Sequence, residues 1–209
     1  MEKKVSESVI NRLPRYYRYL DELIKEGVDR ISSKSLSEKM GLTASQVRQD
    51  FNCFGGFGQQ GYGYKVESLK ESIGKILGID RQRSAILIGA GNIGRAFALN
   101  ITFEKRGFHL TGIFDNDPEK IGQTVGDIVV SDFEDVEKFI EENKPEMAIV
   151  AIPKAGVNQV VSRLKNAGIK AFLNFTHAEV EDAEDIVVEN IHLGDSLMRL
   201  SYKMGEKTV

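Results

Sequence analysis

The stretch that decides the fold is Ser84-Ala85-Ile86-Leu87-Ile88-Gly89-Ala90-Gly91-Asn92-Ile93-Gly94. A short apolar run predicts a buried strand, and the glycine-punctuated turn after it opens a helical pattern that reaches about Lys105 and stops at Gly107. His109 to Phe114 predicts the next strand, with His109 as a core residue, and Asp115 closes it. GxGxxG alone is a weak signal. Flanked by strand and helix, with an acid 21 positions after Gly94, it is specific for a dinucleotide-binding βαβ unit. Gly89 allows the tight turn, Gly91 lets backbone N–H groups approach a pyrophosphate, and Gly94 lets helix and strand pack closely. The helix N-terminus favours phosphate charge. Asp115 accepts hydrogen bonds from the adenine ribose and repels a 2′-phosphate, which predicts NAD(H) over NADP(H). The cofactor residues on this reading are Gly89, Ala90, Gly91, Asn92, Ile93, Gly94 and Asp115.

Further βα units follow. Ile128-Val129-Val130, Met147 to Ile152, Lys170 to Phe175 and Ile186 to Leu193 predict strands, and Phe133 to Glu142 and Val157 to Ala167 predict helices. The pattern is α/β, a doubly wound, mainly parallel Rossmann sheet of six or seven strands with its ligand at their carboxyl ends. Pro153-Lys154-Ala155 and Asn174-Phe175-Thr176-His177 stand at two such ends. The closing segment around Ser196 to Met204 is amphipathic with no sheet left to cover, which suits a dimer contact.

The N-terminal part reads differently. Leu13, Tyr16, Tyr17, Leu20, Leu23 and Ile24 recur at helical spacing, predicting a helix from about residue 7 to Glu26 with a kink or late start at Pro14. Ser32 to Gly41 predicts a short helix. Thr43 with Gln46 is a capping box, and Leu42 with Val47 a hydrophobic staple. Two short helices joined by Gly41-Leu42-Thr43 form a helix-turn-helix. Its second helix turns Ala44, Val47 and Phe51 inward and Ser45, Arg48, Gln49 and Asn52 outward, types that read base edges or hold phosphates. Phe54 to Tyr64 holds five glycines and four aromatics, the composition of a wing hairpin. Cys53 reads as a core residue. Glu67 to Gly78 predicts one more helix before a polar linker.

Composition narrows the class. No apolar run approaches the ~20 residues of a membrane span, and no signal peptide is recognisable. One cysteine excludes an intramolecular disulfide and fits a cytoplasmic protein, and one Cys with three His offers no zinc spacing, so neither metal nor membrane is expected. Net charge is −3. Residues 1–80 carry 13 Lys+Arg against 11 Asp+Glu, and residues 81–209 carry 15 against 20, so the basic excess sits with the helix-turn-helix. The expected domains are a winged helix over 1–80, a Rossmann domain over 81–193 and a dimerisation helix over 194–209. An enzyme would need a substrate domain and a positioned acid or base. Only 16 residues follow the last predicted strand, and no Tyr-x-x-x-Lys pair occurs. A small NAD-dependent oxidoreductase with a helical appendage, and a CoA-binding or purely structural Rossmann module, are the alternatives.

Asn11-Arg12-Leu13, Ser45-Gln46-Val47-Arg48, Phe54 to Tyr64, Gly89 to Gly94, Phe114-Asp115, Pro118 to Gly122 and Asn174-Phe175-Thr176 together resemble the redox-sensing repressor family Rex over nearly the whole chain. The resemblance implies a homodimer with exchanged C-terminal helices that binds a double-stranded, inverted-repeat operator when NAD+ prevails and leaves it when NADH does. It implies DNA contacts at Arg12, Ser33, Ser45, Gln46, Arg48, Gln49, Phe57, Gln59, Gln60 and Gly61. It adds Asn100, Pro153 and Thr176 to the cofactor site, and Arg18, His192 and Asp195 as an interdomain switch. The chain departs from the family at three places: Asn100 where a nicotinamide-side Tyr is usual, His192 where an Asp is usual, and Gln59-Gln60 where the wing tip is usually basic.

Overall fold

A computed structural model describes residues 5–55, 57, 62–99, 104–181 and 183–207. Gln59, Gln60, Gly61 and Asn100, all expected at sites, lie outside the described residues. The chain divides into two compact units, Met1–Arg81 and Gln82–Val209.

The first unit runs α1 (Glu7–Ile10), α2 (Leu13–Lys25), β1 (Arg30–Ile31), α3 (Ser33–Met40), α4 (Ala44–Asn52), β2 (Tyr64–Lys65) and α5 (Val66–Leu77). The single helix expected from residue 7 is two helices. Pro14 has no N–H and its ring meets the carbonyl four residues back, so it is excluded from a helix interior but suits the first turn of α2. Gly41 ends α3 in the left-handed region with φ 66°. Thr43 then restarts the chain as the cap of α4, its Oγ1 accepting the Gln46 N–H at 3.1 Å. Leu13, Tyr16, Leu20 and Leu23 of α2 meet Leu36, Met40, Val47, Phe51, Leu69 and Ile73 in one core, each buried leucine contributing roughly 1.5–3 kcal/mol. β1 pairs antiparallel with β2, Ile31 opposite Tyr64, which closes the base of the glycine-rich stretch.

The second unit runs β3 (Arg83–Ile88), α6 (Asn92–Ala98), β4 (Phe108–Asp115), β5 (Thr124–Val125), β6 (Ile128–Asp132), α7 (Val136–Asn143), β7 (Met147–Val150), α8 (Val157–Asn166), β8 (Ala171–Asn174), β9 (Val187–Asn190) and α9 (Leu193–Lys207). The seven strands lie in the order β5-β6-β4-β3-β7-β8-β9. Every pairing is parallel except β5 with β6, and two-residue β5 is too short to show a pattern in sequence. Ile86, Ile88, Phe114, Ala148 and Val150 pack on one face with Val136, Ile140, Val157, Val161 and Leu164 of α7 and α8. Ala85, Leu87, Ile113 and Ile149 pack on the other face, toward Phe97 of α6. This is the period-two alternation of a sheet covered on both sides. His109, expected in the core, is exposed, with Nδ1 3.4 Å from Glu104. At that level β4 has β3 on one side only, because β6 joins it from Ile113 onward. Cys53 is exposed as well. It follows α4 one turn beyond outward-facing Gln49, whose carbonyl accepts its thiol at 3.3 Å.

One polar cluster ties the helix-turn-helix to α2. The Arg12 guanidinium donates twice to the Asp50 carboxylate, both at 2.7 Å, and the Tyr16 hydroxyl donates to the same carboxylate at 2.9 Å. Asp50 is 2% exposed and Tyr16 fully buried. Burial first, and the Asp50 hydrogen bond second, hold the Tyr16 phenol above its ordinary range, so its neutral, donating form is favoured. Asp50→Ala leaves three donors of Arg12 and Tyr16 unpaired inside the unit and is expected to cost about 3–5 kcal/mol in urea denaturation. The chain has no Trp, and five of its six Tyr lie before residue 65, so tyrosine emission reports this unit. Tyr16→Phe is expected to cost about 1 kcal/mol. That difference is fully present below the ordinary phenol value of 10.0 and shrinks as pH rises from there through the folded value.

Candidate functional site

The carboxyl ends of β4, β3, β7 and β8 open into a cleft of about 980 Å³. It straddles β3, whose two neighbours follow it in opposite directions of the strand order, the switch point at which doubly wound sheets bind ligands. Gly89 turns the chain at φ 101°, and a Cβ there would stand 2.4 Å from the Ala151 carbonyl oxygen. A Cβ at Gly94 would stand 1.9 Å from the Gly89 carbonyl oxygen, so only glycine brings α6 down on the turn. Gly91 differs, since its Cβ would meet no atom within 4 Å, and its open side lines the cleft with Asn92 and Ile93. The amides of the first turn of α6 have no acceptor inside the helix, and Arg95 N–H is the one that returns to the Gly91 carbonyl, at 2.8 Å. Ala90 falls outside this set. Its side chain is buried and its N–H donates to Asp115 Oδ2 at 2.7 Å, so this residue, expected at the cofactor, uses its amide to fix the acid of the next strand.

Asp115 is 7% exposed at the end of β4. Its Oδ1 accepts the Asp117 N–H at 2.9 Å, and Lys120 Nζ lies 3.3 Å from Oδ2. Further along this side, the Arg163 guanidinium pairs with Glu134 at 3.0 Å and with Glu137, and lies 4.8 Å over the Phe133 ring. That pairing holds the Glu137 carboxyl below its ordinary value.

Pro153 and Thr176 line the opposite side of the cleft with His177. Pro153 is exposed, whereas Thr176 is 3% exposed and its hydroxyl donates to the Ala178 carbonyl at 3.3 Å. The loop carrying Thr176 is held by two asparagines. Fully buried Asn174 accepts the Thr176 N–H at 3.1 Å and donates to the Ala178 carbonyl and to Asn190 Oδ1, both at 2.7 Å. Asn190 donates to the Val180 carbonyl at 2.9 Å. His192 Nε2 lies 3.1 Å from Glu179 of the same loop. Asn190 and His192 lead directly into α9, where Asp195 N–H returns to the His192 carbonyl at 3.2 Å. Arg18 is exposed on α2 in the first unit, and His192 and Asp195 belong to the second.

On the first unit, Ser45, Arg48, Gln49 and Asn52 form the exposed face of α4, with Gln46 half-buried beside them. Arg48 Nη1 donates to Ser33 Oγ at 3.1 Å, joining two of the expected DNA contacts across α3 and α4. Two others turn inward. Arg12 is committed to Asp50 because a buried carboxylate demands a partner. Phe57 is half-buried, its ring edge-on against Phe51 at 5.7 Å.

Sequence reasoning missed Asp50, Lys120 and Asn190. Asp50 was findable, because it stands three residues after inward Val47 and beside inward Phe51, on the buried stripe of α4. Lys120 pairs with Asp117 and Asp115, three and five residues before it, across a turn that no helical or strand period marks, and Asn190 meets Asn174 through the pairing of β8 with β9.

Comparison with known proteins agrees at both ends of the chain. Residues 4–52 match the family described as "Putative DNA-binding protein N-terminus", and residues 80–178 the family described as "CoA binding domain". The redox-sensing transcriptional repressor Rex of Thermoanaerobacter pseudethanolicus is 53% identical over 204 residues, spanning 98% of this chain and 91% of that protein. The Rex of Clostridium perfringens is 49% identical over 211 residues, spanning all of both. Among solved structures, RSP in complex with β-NAD+ and operator DNA superposes with a TM-score of 0.92 at 52% identity, covering 99% of this chain and 95% of that one. RSP in complex with β-NADH gives 0.91 at 50% identity, covering 99% and 97%. RSP is itself described as a Rex-family repressor. Agreement of this extent along the whole sequence, with the same fold, has one meaning: this chain belongs to the Rex family of redox-sensing transcriptional repressors.

Proposed function

We propose that the chain represses transcription as a cytoplasmic homodimer that grips operator DNA through α4 and lets go when NADH replaces NAD+ in the cleft. The observation that carries this reading is the open side of Gly91 beside the unsatisfied amides of α6, in a chain that also presents Ser45, Arg48 and Gln49 on an exposed helix-turn-helix face. RSP has been captured with NAD+ and operator DNA and, separately, with NADH. The cleft fits such a dinucleotide. A Cβ at Gly91 would fill the space a pyrophosphate needs, the amides of Asn92, Ile93 and Gly94 supply donors, and Asp115 supplies an acceptor for the ribose. When bound, the cofactor supplies the redox signal itself, a nicotinamide ring that is cationic when oxidised and neutral when reduced.

Residues near the pyrophosphate and adenosine meet the same groups in both forms and give affinity without discrimination. A ligand shifts a conformational equilibrium only by its differential affinity for the two states. The discriminating contacts therefore belong to the Pro153 and Thr176 side, with Asn100. Asn174 and Asn190 hold that side and continue into α9, the helix proposed to pass to the partner subunit. Leu193, Leu197, Met198, Leu200 and Met204 are each more than half exposed on it, an apolar face that a second copy would cover. A dimer presents two copies of α4 to half-sites roughly 34 Å apart. Arg48 is assigned to base edges or phosphate, Ser33, Ser45, Gln46 and Gln49 to positions beside it, and the wing residues Gln59, Gln60 and Gly61 to the adjacent groove.

Gel-shift titration with the operator duplex that RSP binds tests the proposal: NADH is expected to release the DNA and NAD+ to leave it bound. Operator binding indifferent to NADH would refute it. Arg48→Ala is expected to weaken the complex by about 1–3 kcal/mol. Gly91→Ala is expected to fold normally yet lose roughly tenfold or more in NADH affinity, about 1.4 kcal/mol, by NADH fluorescence, whereas Gly94→Ala is expected to disrupt the unit, because its methyl group meets backbone. Leu197→Glu is expected to shift sedimentation toward monomer.

A further inference from the structure

Lys120 stands in the cleft beside the residue assigned to the ribose. Its Nζ lies 3.3 Å and 3.5 Å from the two Asp115 oxygens and 3.2 Å from Asp117 Oδ2. The turn beneath it is built, since Glu119 N–H donates to Asp117 Oδ1 at 3.0 Å and Lys120 N–H to the Asp117 carbonyl at 2.9 Å. About a third of the side chain is exposed. Asp117 first, and Asp115 after it, hold the ammonium above its ordinary value, so it is charged throughout the neutral range.

Counting donors and acceptors shows what this corner can take. A carboxylate offers about four acceptor positions and an ammonium three donors. Asp115 already receives Ala90 N–H, Asp117 N–H and Lys120, which leaves about one acceptor position. Lys120 gives two donors to Asp115 and Asp117, which leaves about one. One acceptor and one donor side by side complement a vicinal diol, whose hydroxyls both donate and accept. A phosphate has oxygens only to accept with. It would be attracted by Lys120 and repelled by Asp115 and Asp117.

We propose that Lys120 is a second specificity residue of the adenosine ribose subsite, and that it opposes Asp115: the acid enforces NADH over NADPH against a lysine already placed to hold a 2′-phosphate. This rests on the reading of Asp115 as the ribose acceptor. Two consequences run against the usual expectation for a cofactor-site lysine. Removing the lysine sharpens selectivity for NADH, even as NADH affinity falls. Removing the acid's charge creates NADPH affinity only while the lysine remains.

The test is direct titration of NADH and NADPH into the full chain by cofactor fluorescence, for the parent, Lys120→Met, Lys120→Arg, Asp115→Asn, Asp115→Ser and the Asp115→Asn/Lys120→Met double variant. Lys120→Met is expected to weaken NADH by about tenfold, the loss of one charge-assisted hydrogen bond, and NADPH by clearly more. Lys120→Arg should keep the parent's NADH-to-NADPH ratio. Asp115→Asn is expected to bind NADPH roughly tenfold or more tightly than the parent, and the double variant to lose that gain. Asp115→Ser serves the same purpose should the Asn amide clash with the Asp117 N–H, and circular dichroism checks that each variant is folded. A Lys120→Met variant with an unchanged ratio, or an NADPH gain that survives in the double variant, overturns the assignment of Lys120 while leaving the nucleotide site intact. A parent that binds neither dinucleotide overturns both.

Discussion

The carbonyl oxygen of Gly89 sits where a side chain at residue 94 would begin, 1.9 Å from an ideal Cβ. This contact drives the start of α6 against the end of β3, and much else follows from it. It sets the first turn of α6 at the cleft that Asn92 and Ile93 line, and it leaves the Ala90 N–H turned away, toward Asp115. The bond so formed ties the end of β4 to the turn after β3, so the ends of the cleft proposed for phosphate and for ribose share a single backbone constraint. Gly91 alone in the turn has free space beside it, which separates the glycine that makes room for a ligand from the two that make the fold.

A site organised in this way binds but does not sense. The sensing element must distinguish a cationic ring from a neutral one and pass the difference on. The asparagine pair offers the physical means. Asn174 is fully buried and makes three short bonds, one of them to Asn190 on the neighbouring strand. A displacement of the Thr176 loop therefore strains the end of β9, from which α9 emerges. The first unit has a counterpart: Asp50 locks α4 to α2 through Arg12 and Tyr16, so the helix proposed to meet DNA is tied to its scaffold.

The α/β class, the succession of the longer strands and helices, the capped helix-turn-helix and the glycine turn were legible in the sequence because each depends on residues close together along it. Thr43 and Gln46 are three apart, and Gly89, Gly91 and Gly94 lie within six positions. What could not be read depends on contacts between distant elements. Arg12 was expected to contact DNA, yet its guanidinium is held by Asp50, 38 residues on. His109 looked like core because its strand is apolar, but burial there is set by where β6 begins to pair. Ala90 sits inside the recognised motif, yet its amide is taken by an acid 25 residues away. Phe57, in a glycine-rich stretch, was expected to meet DNA, and its ring also packs half-buried against Phe51, a contact that residue type alone does not announce.

Binding free energies at two coupled sites are reciprocal, so the factor by which NADH weakens operator binding must equal the factor by which operator weakens NADH binding. The most direct measurement is the NADH dissociation constant of the full chain, alone and saturated with the RSP operator duplex, with NAD+ titrated in parallel. NADH is expected to bind about 5–150-fold more weakly to the DNA complex, the range of ordinary allosteric coupling, with NAD+ much less affected. An NADH dissociation constant unchanged by operator would contradict the coupling of cleft to helix-turn-helix.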